Sequence, residues 1–173
     1  FADEAALRRI FAGFALQPWQ SEQDPWTECD EHRLFWKIGE HVPPRLLVLD
    51  TPDIDSDAPV NWQRADIVRQ TADVLVAVLT QQKYNDATVK QFFRHAAQAD
   101  KPIIVHTRKR ERRVLEILEE LGATRVDWHC FGGKVSLARQ IAERGHYLSI
   151  PANARRHEAF TRMLETLPRD RIL

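Results

Sequence analysis

The chain predicts an α/β domain: a three-layer, mostly parallel sheet with an antiparallel hairpin at its amino-terminal edge. Two observations carry this. From residue 73 onward, short apolar runs alternate with longer segments of helical period, the order that produces a parallel sheet with right-handed crossovers. Before that, residues 32–38 and 45–49 flank Gly39-Glu-His-Val-Pro-Pro44, which reads as two strands joined by a turn. At 173 residues, one continuous domain over 1–173 is expected.

Taken in order, Leu7, Ile10, Phe11 and Phe14 fall at helical spacing with Arg8 and Arg9 opposite, so residues 3–16 predict an amphipathic helix ending between Gly13 and Pro18. Residues 17–31 show no sustained period and contain Pro18 and Pro25, so a loop is expected. An acidic loop at 50–57 leads to a helix at 62–71 and an apolar strand at 73–79. Helices are then expected at 86–99, 110–121, 136–144 and 157–167, and strands at 101–105, 125–129, 146–150 and 171–173. In such sheets functional groups gather at the carboxyl ends of the strands.

Composition excludes several classes. Lys plus Arg equals Asp plus Glu at 25 each, so no overall field draws the chain to nucleic acid and no strong nucleic-acid patch is expected. No apolar run reaches the roughly 20 residues of a bilayer span and no signal segment opens the chain, so no membrane partner is expected. Cys29 and Cys130 lack metal-ligand spacing, which reads as a reduced, cytoplasmic protein without a disulfide. The start at Phe1, without a Met, and the stop at Leu173 read as cut ends. Trp19, Trp26, Trp36, Trp62 and Trp128 are expected to pack, since no basic groove interleaves them.

Two groups of residues carry chemistry. His106 and His129 end successive strands, where neutral imidazoles share one mouth and can ligate zinc or manganese. Two ligands hold such an ion weakly, because structural sites use four and catalytic sites three plus water. Asp50, at the end of another expected strand, is the better third ligand; Cys130 should point away from its neighbour in an extended strand. Asp50, Asp53, Asp55 and Asp57 would also suit a hard cation such as magnesium, although the Gly and closing Glu of an EF-hand are missing. Arg155 and Arg156, after Pro151, form a candidate phosphate contact, and the basic run at 108–113 opposes the dipole of the helix it opens.

The run Leu46-Leu-Val-Leu-Asp-Thr-Pro-Asp53 with Ala72-Asp-Val-Leu-Val-Ala-Val-Leu-Thr80 resembles the core of a bacterial P-loop GTPase over about residues 20–104. That resemblance implies a nucleotide switch with Thr27, Asp50 and Asp53 near magnesium, but the P-loop is missing and His106-Thr-Arg-Lys109 stands where Asn-Lys-x-Asp would read guanine. Residues from Lys101-Pro-Ile-Ile-Val-His106 through His129-Cys-Phe-Gly-Gly133 to Leu173 resemble the carboxy-terminal half barrel of a TatD-type metal-dependent hydrolase. This second resemblance implies His106 and His129 as metal ligands and Arg108 as a substrate contact. The family's amino-terminal His-x-His, its bridging acid and the Glu-Thr-Asp after Leu173 are missing.

Together the resemblances imply a mosaic spliced within residues 101–105: a GTPase-like fragment fused to a TatD-like phosphodiesterase or DNase fragment, with little or no catalysis in the isolated chain. A weakly held divalent metal (zinc, manganese or magnesium), a phosphodiester substrate and self-association through open sheet edges are expected. A GTP-binding module lacking its P-loop and a non-catalytic chimeric scaffold are the alternatives.

Overall fold

The computed structural model describes residues 4–24, 32–43, 45–51, 59–79, 86–151 and 154–173, with 59–64, 86, 88 and 155 described as backbone alone. The chain divides into two compact units, Phe1–Thr71 and Ala72–Leu173.

In the first unit, helix α1 (Glu4–Ile10) buries Leu7, and Phe11 follows it into a small core shared with Val68 of helix α2 (Pro59–Thr71). The helix stops well before Leu16. Strand β1 (Ala15–Pro18) occupies the stretch expected as its last turn, because Phe14 and Leu16 both face that core and Pro18 has no N–H for a continuing helix.

Strand β2 (Arg33–Trp36) lies where the first arm of the hairpin was expected, but its partner is different. It pairs with β1 in parallel, Ala15 opposite Arg33 and Pro18 opposite Trp36. The antiparallel hairpin is therefore corrected. Residues 45–49 carry no strand pairing among the described residues; Leu47 and Leu49 pack on the core while Leu46 and Val48 are exposed. The segment thus alternates in burial without ladder bonds. Arg45, at φ 69, turns the chain before this segment.

The second unit follows the expected alternation to within two residues at nearly every boundary. Strands β3 (Leu75–Leu79), β4 (Ile103–Thr107), β5 (Val126–Trp128) and β6 (Tyr147–Leu148) form one parallel sheet in that order, and Ile172 adds a parallel bridge to Leu148. The last expected strand is reduced to this bridge, since a 3₁₀ turn (Arg169–Arg171) takes up most of it. Helices α3 (Asp86–Gln98), α4 (Glu111–Glu120), α5 (Val135–Glu143) and α6 (Glu158–Thr166) make the connections and the close.

Sequential strand order with right-handed crossovers stacks the helices on one face. Burial agrees: Leu75, Ala77, Ile103, Val105, Val126, Trp128 and Leu148 are buried with Phe93, Ile117, Leu118, Ile141 and Met163 from the helices. The alternate strand residues lie on the other face, where Val76 and Val78 are 61% and 65% exposed. The α/β class and the parallel sheet hold.

Three helices of the unit end in one way. After α4, Gly122 (φ 67) lets Ala123 N–H reach Leu118 O at 3.0 Å, and after α5, Gly145 (φ 82) lets His146 N–H reach Ile141 O at 3.3 Å. After α3 the same left-handed position is held by Asp100 (φ 48), with Lys101 N–H on Ala96 O at 3.0 Å.

Candidate metal centre at the strand ends

Parallel pairing sets Val78 beside His106 and Val105 beside Trp128, while Trp128 pairs with Leu148. Side chains alternate along a strand. His106, His129 and Ser149 therefore form a row across the uncovered face at its carboxyl edge, with Asp127 one step behind His129.

The row is hydrogen-bonded. The His106 and His129 ring centroids are 5.9 Å apart, inclined at 52°. His106 Nδ1 lies 3.3 Å from the His129 carbonyl oxygen, which can only accept, so Nδ1 carries a proton and, in the neutral ring, Nε2 has the lone pair. His129 Nδ1 is 3.2 Å from Ser149 Oγ, whose hydroxyl donates to Asp127 Oδ2 at 3.4 Å and accepts from Cys130 N–H at 3.2 Å. The strand-end backbone is held by His129 N–H on Val105 O at 2.8 Å and Ser149 N–H on Trp128 O at 3.1 Å.

Cys130 departs from expectation. Its φ of 50 takes the chain out of the extended conformation, and its Sγ comes to 3.3 Å from His129 Nε2 instead of pointing away. The thiol is free and half-buried.

Burial raises the pKa of the Asp127 carboxyl from its ordinary value; the positive potential of His129 and bonds from Ser149 oppose the shift. Its Oδ1 is buried and has no partner among the described residues. Sequence reasoning missed Asp127 and Ser149. The signal was present: both share strand parity with His129 or follow the buried Leu148 by one residue, which places them on the same face.

The other expected site residues are spread out. Arg108 is exposed, one residue beyond β4, on the edge that carries His106. Arg155 lies in a 3₁₀ turn (Ala154–Arg156) after β6, its side chain outside the described residues. Asp50 is exposed in the first unit and ends no strand, so the strand-end argument for it has no structural basis. Thr27 and Asp53 lie outside the described residues.

The donor chemistry fits a divalent ion in part. The two imidazoles, 5.9 Å apart between centroids and each with its Nδ1 engaged, are of the ligand type that holds zinc at ~2.0–2.1 Å. Among the described residues no group of three His, Cys, Asp or Glu is assembled for a metal.

The family described as TatD related DNase matches residues 75–173. An uncharacterized metal-dependent hydrolase of Methanocaldococcus jannaschii is 33% identical over 87 residues, covering 49% of this chain and 33% of its own length. The uncharacterized metal-dependent hydrolase YabD of Bacillus subtilis is 33% identical over 92 residues, covering 49% and 36%, and the deoxyribonuclease TATDN3 of Homo sapiens 32% over 73 residues, covering 42% and 27%. The chain thus spans about a third of the length of these relatives. The crystal structure of a TatD family hydrolase from Entamoeba histolytica superposes with a TM-score of 0.51 at 15% identity, over 65% of this chain and 41% of that one, a likeness of fold.

The match also moves a boundary. It begins at Leu75, so β3 and α3, expected to belong to a GTPase-like half ending near residue 104, fall inside the hydrolase-like range. A junction within residues 101–105 has no support from it. Through residues 75–173, more than half of its length, the chain belongs to the TatD-related DNase family.

Proposed function

We propose that the chain carries part of the metal-binding mouth of a divalent-metal-dependent phosphodiesterase, with His106 and His129 as two of its ligands. The observation that supports this reading most directly is the pair itself: two imidazoles on adjoining strand ends, 5.9 Å between centroids. Relatives named metal-dependent hydrolases and a deoxyribonuclease support the same class and a phosphodiester substrate such as DNA. The metal can be zinc, manganese or magnesium; bound there, it would acidify a coordinated water and polarise the phosphoryl oxygen.

This chain's own residues contribute orientation and charge. The His129 carbonyl holds the His106 ring, Ser149 holds the His129 ring, and the exposed Arg108 guanidinium faces solvent at the same edge, suited to a bidentate contact with phosphate. With two imidazoles in place of three or four ligands, affinity is weak and turnover by the isolated chain slight.

Calorimetric titration with zinc and manganese tests the reading. Micromolar binding that disappears in the His106→Ala/His129→Ala double variant is the expected result. Binding equal to that of the variant overturns it.

A further inference from the structure

We infer that Ser149 and Asp127 form a hydroxyl–carboxylate relay that fixes the His129 ring in its Nδ1–H tautomer and so leaves Nε2 unprotonated as the ligand atom. The inference rests on the reading of His129 as a metal ligand for its purpose, although the tautomer itself does not depend on a metal.

The argument is a count of protons and lone pairs. Ser149 Oγ has one proton and three neighbours: Asp127 Oδ2 at 3.4 Å, Cys130 N–H at 3.2 Å and His129 Nδ1 at 3.2 Å. Cys130 N–H can only donate, so it takes one lone pair of the oxygen. The proton can go to the carboxylate or to the imidazole nitrogen. A carboxylate is the stronger acceptor, since bonds to ionised groups are roughly twice as strong as neutral ones.

Asp127 also has more to lose. Its Oδ1 is buried and unpartnered among the described residues, so turning the hydroxyl away would remove a bond from a carboxylate already short of one. With the hydroxyl committed to Asp127, its second lone pair needs a donor, and His129 Nδ1–H is the group in reach. Cys130 Sγ, 3.3 Å from Nε2, fits the same assignment, because a thiol can donate weakly to an unprotonated nitrogen. Isolated imidazoles favour the opposite, Nε2–H form, so the relay reverses an intrinsic preference. Ser149 and Asp127 are positioning residues: partners of this kind orient a ligating ring and set its tautomer.

Long-range proton–nitrogen NMR correlation on the ¹⁵N-labelled, metal-free full chain at pH 8 reads the tautomer directly. The expected spectrum shows His129 Nδ1 bearing the proton and Nε2 bare. Ser149→Ala removes the acceptor and Asp127→Ala frees the hydroxyl to donate to Nδ1; both are expected to turn His129 to the Nε2–H form, while Ser149→Thr retains the wild-type pattern. A purely structural role would not produce that reversal in a folded Asp127→Ala variant. Wild-type His129 in the Nε2–H form, or a tautomer unchanged in both alanine variants, overturns the relay. Manganese titration adds a second readout, an affinity lowered about 10-fold in Ser149→Ala and restored in Ser149→Thr. Absence of any manganese binding by the wild type would instead refute His129 as a ligand, and the NMR result would still decide the relay.

Discussion

The indole N–H of Trp128 donates to Nδ1 of His146 at 3.2 Å, and His146 Nε2–H in turn donates to the Ala123 carbonyl oxygen at 2.9 Å. The imidazole is only 2% exposed and joins the strand β5 core to the turn after α4. It is a neutral bridge inside the helix-facing core.

That bridge gives stability a pH dependence of definite sign. Burial lowers the His146 pKa below 6.5, with the positive potential of Arg144 also lowering it and the bond to Ala123 and Glu119 opposing. A depressed folded value means the unfolded chain takes up a proton first. The contribution is present above about pH 6.5, the usual histidine value, and is lost as pH falls toward the folded value. Urea unfolding at pH 8 and pH 5.5 should show this fall, and His146→Gln should flatten it. His146→Leu should cost about 1–3 kcal/mol at pH 8, because it leaves the Trp128 N–H and Ala123 O buried without partners.

The left-handed residues after helices α3 and α4 predict opposite outcomes. Gly122→Ala forces a Cβ into φ 67 and should destabilise by about 1–2 kcal/mol. Asp100→Gly relieves φ 48 and should stabilise by up to about 1 kcal/mol. The exposed pair with Arg125 at 3.5 Å contributes little against it. Thermal unfolding of both variants checks the pair of signs.

Arg108 should separate substrate binding from metal binding. Arg108→Ala should leave manganese affinity unchanged within error while weakening single-stranded oligonucleotide binding several-fold, measured by fluorescence anisotropy in the presence of manganese. Equal binding by both proteins would remove Arg108 from the site.

The uncovered face predicts association. Val76 and Val78 are exposed on β3, the outer strand of its sheet. Exposed apolar strands at a sheet edge are templates for pairing. Sedimentation velocity should show concentration-dependent association of the wild type that is reduced in Val76→Lys/Val78→Lys, with unfolding free energy changed by no more than about 0.5 kcal/mol.

The second unit was legible because its elements are long, periodic and separated by helix-ending signals; α4, for instance, buries Val114, Leu115, Ile117 and Leu118 at the expected spacing. Strand β1 was not legible. It is four residues long, follows Gly13, ends on Pro18, and acquires its identity from β2, a partner some eighteen residues away in sequence. The turn-rich 39–44 segment argued for a hairpin, but local turn chemistry does not decide which strand pairs with which.

Within the site, His106 and His129 were readable as strand-end imidazoles, whereas Cys130 was misplaced because a left-handed φ at one non-glycine residue is invisible to period-2 reasoning. Asp50 depended on a strand that does not form. Ser149 is not itself a residue type that ligates these metals, and only the sheet register brings it to His129.

The consecutive strand order has a kinetic corollary. Each strand of the second unit pairs with the one made just before it, so its ladder contacts span one helix at a time and loop-closure costs stay small. The unit is suited to growth from its amino end as synthesis proceeds. His106 and His129 would then meet before Ser149 has joined the sheet, and the imidazole pair would acquire its fixed orientation only when β6 docks.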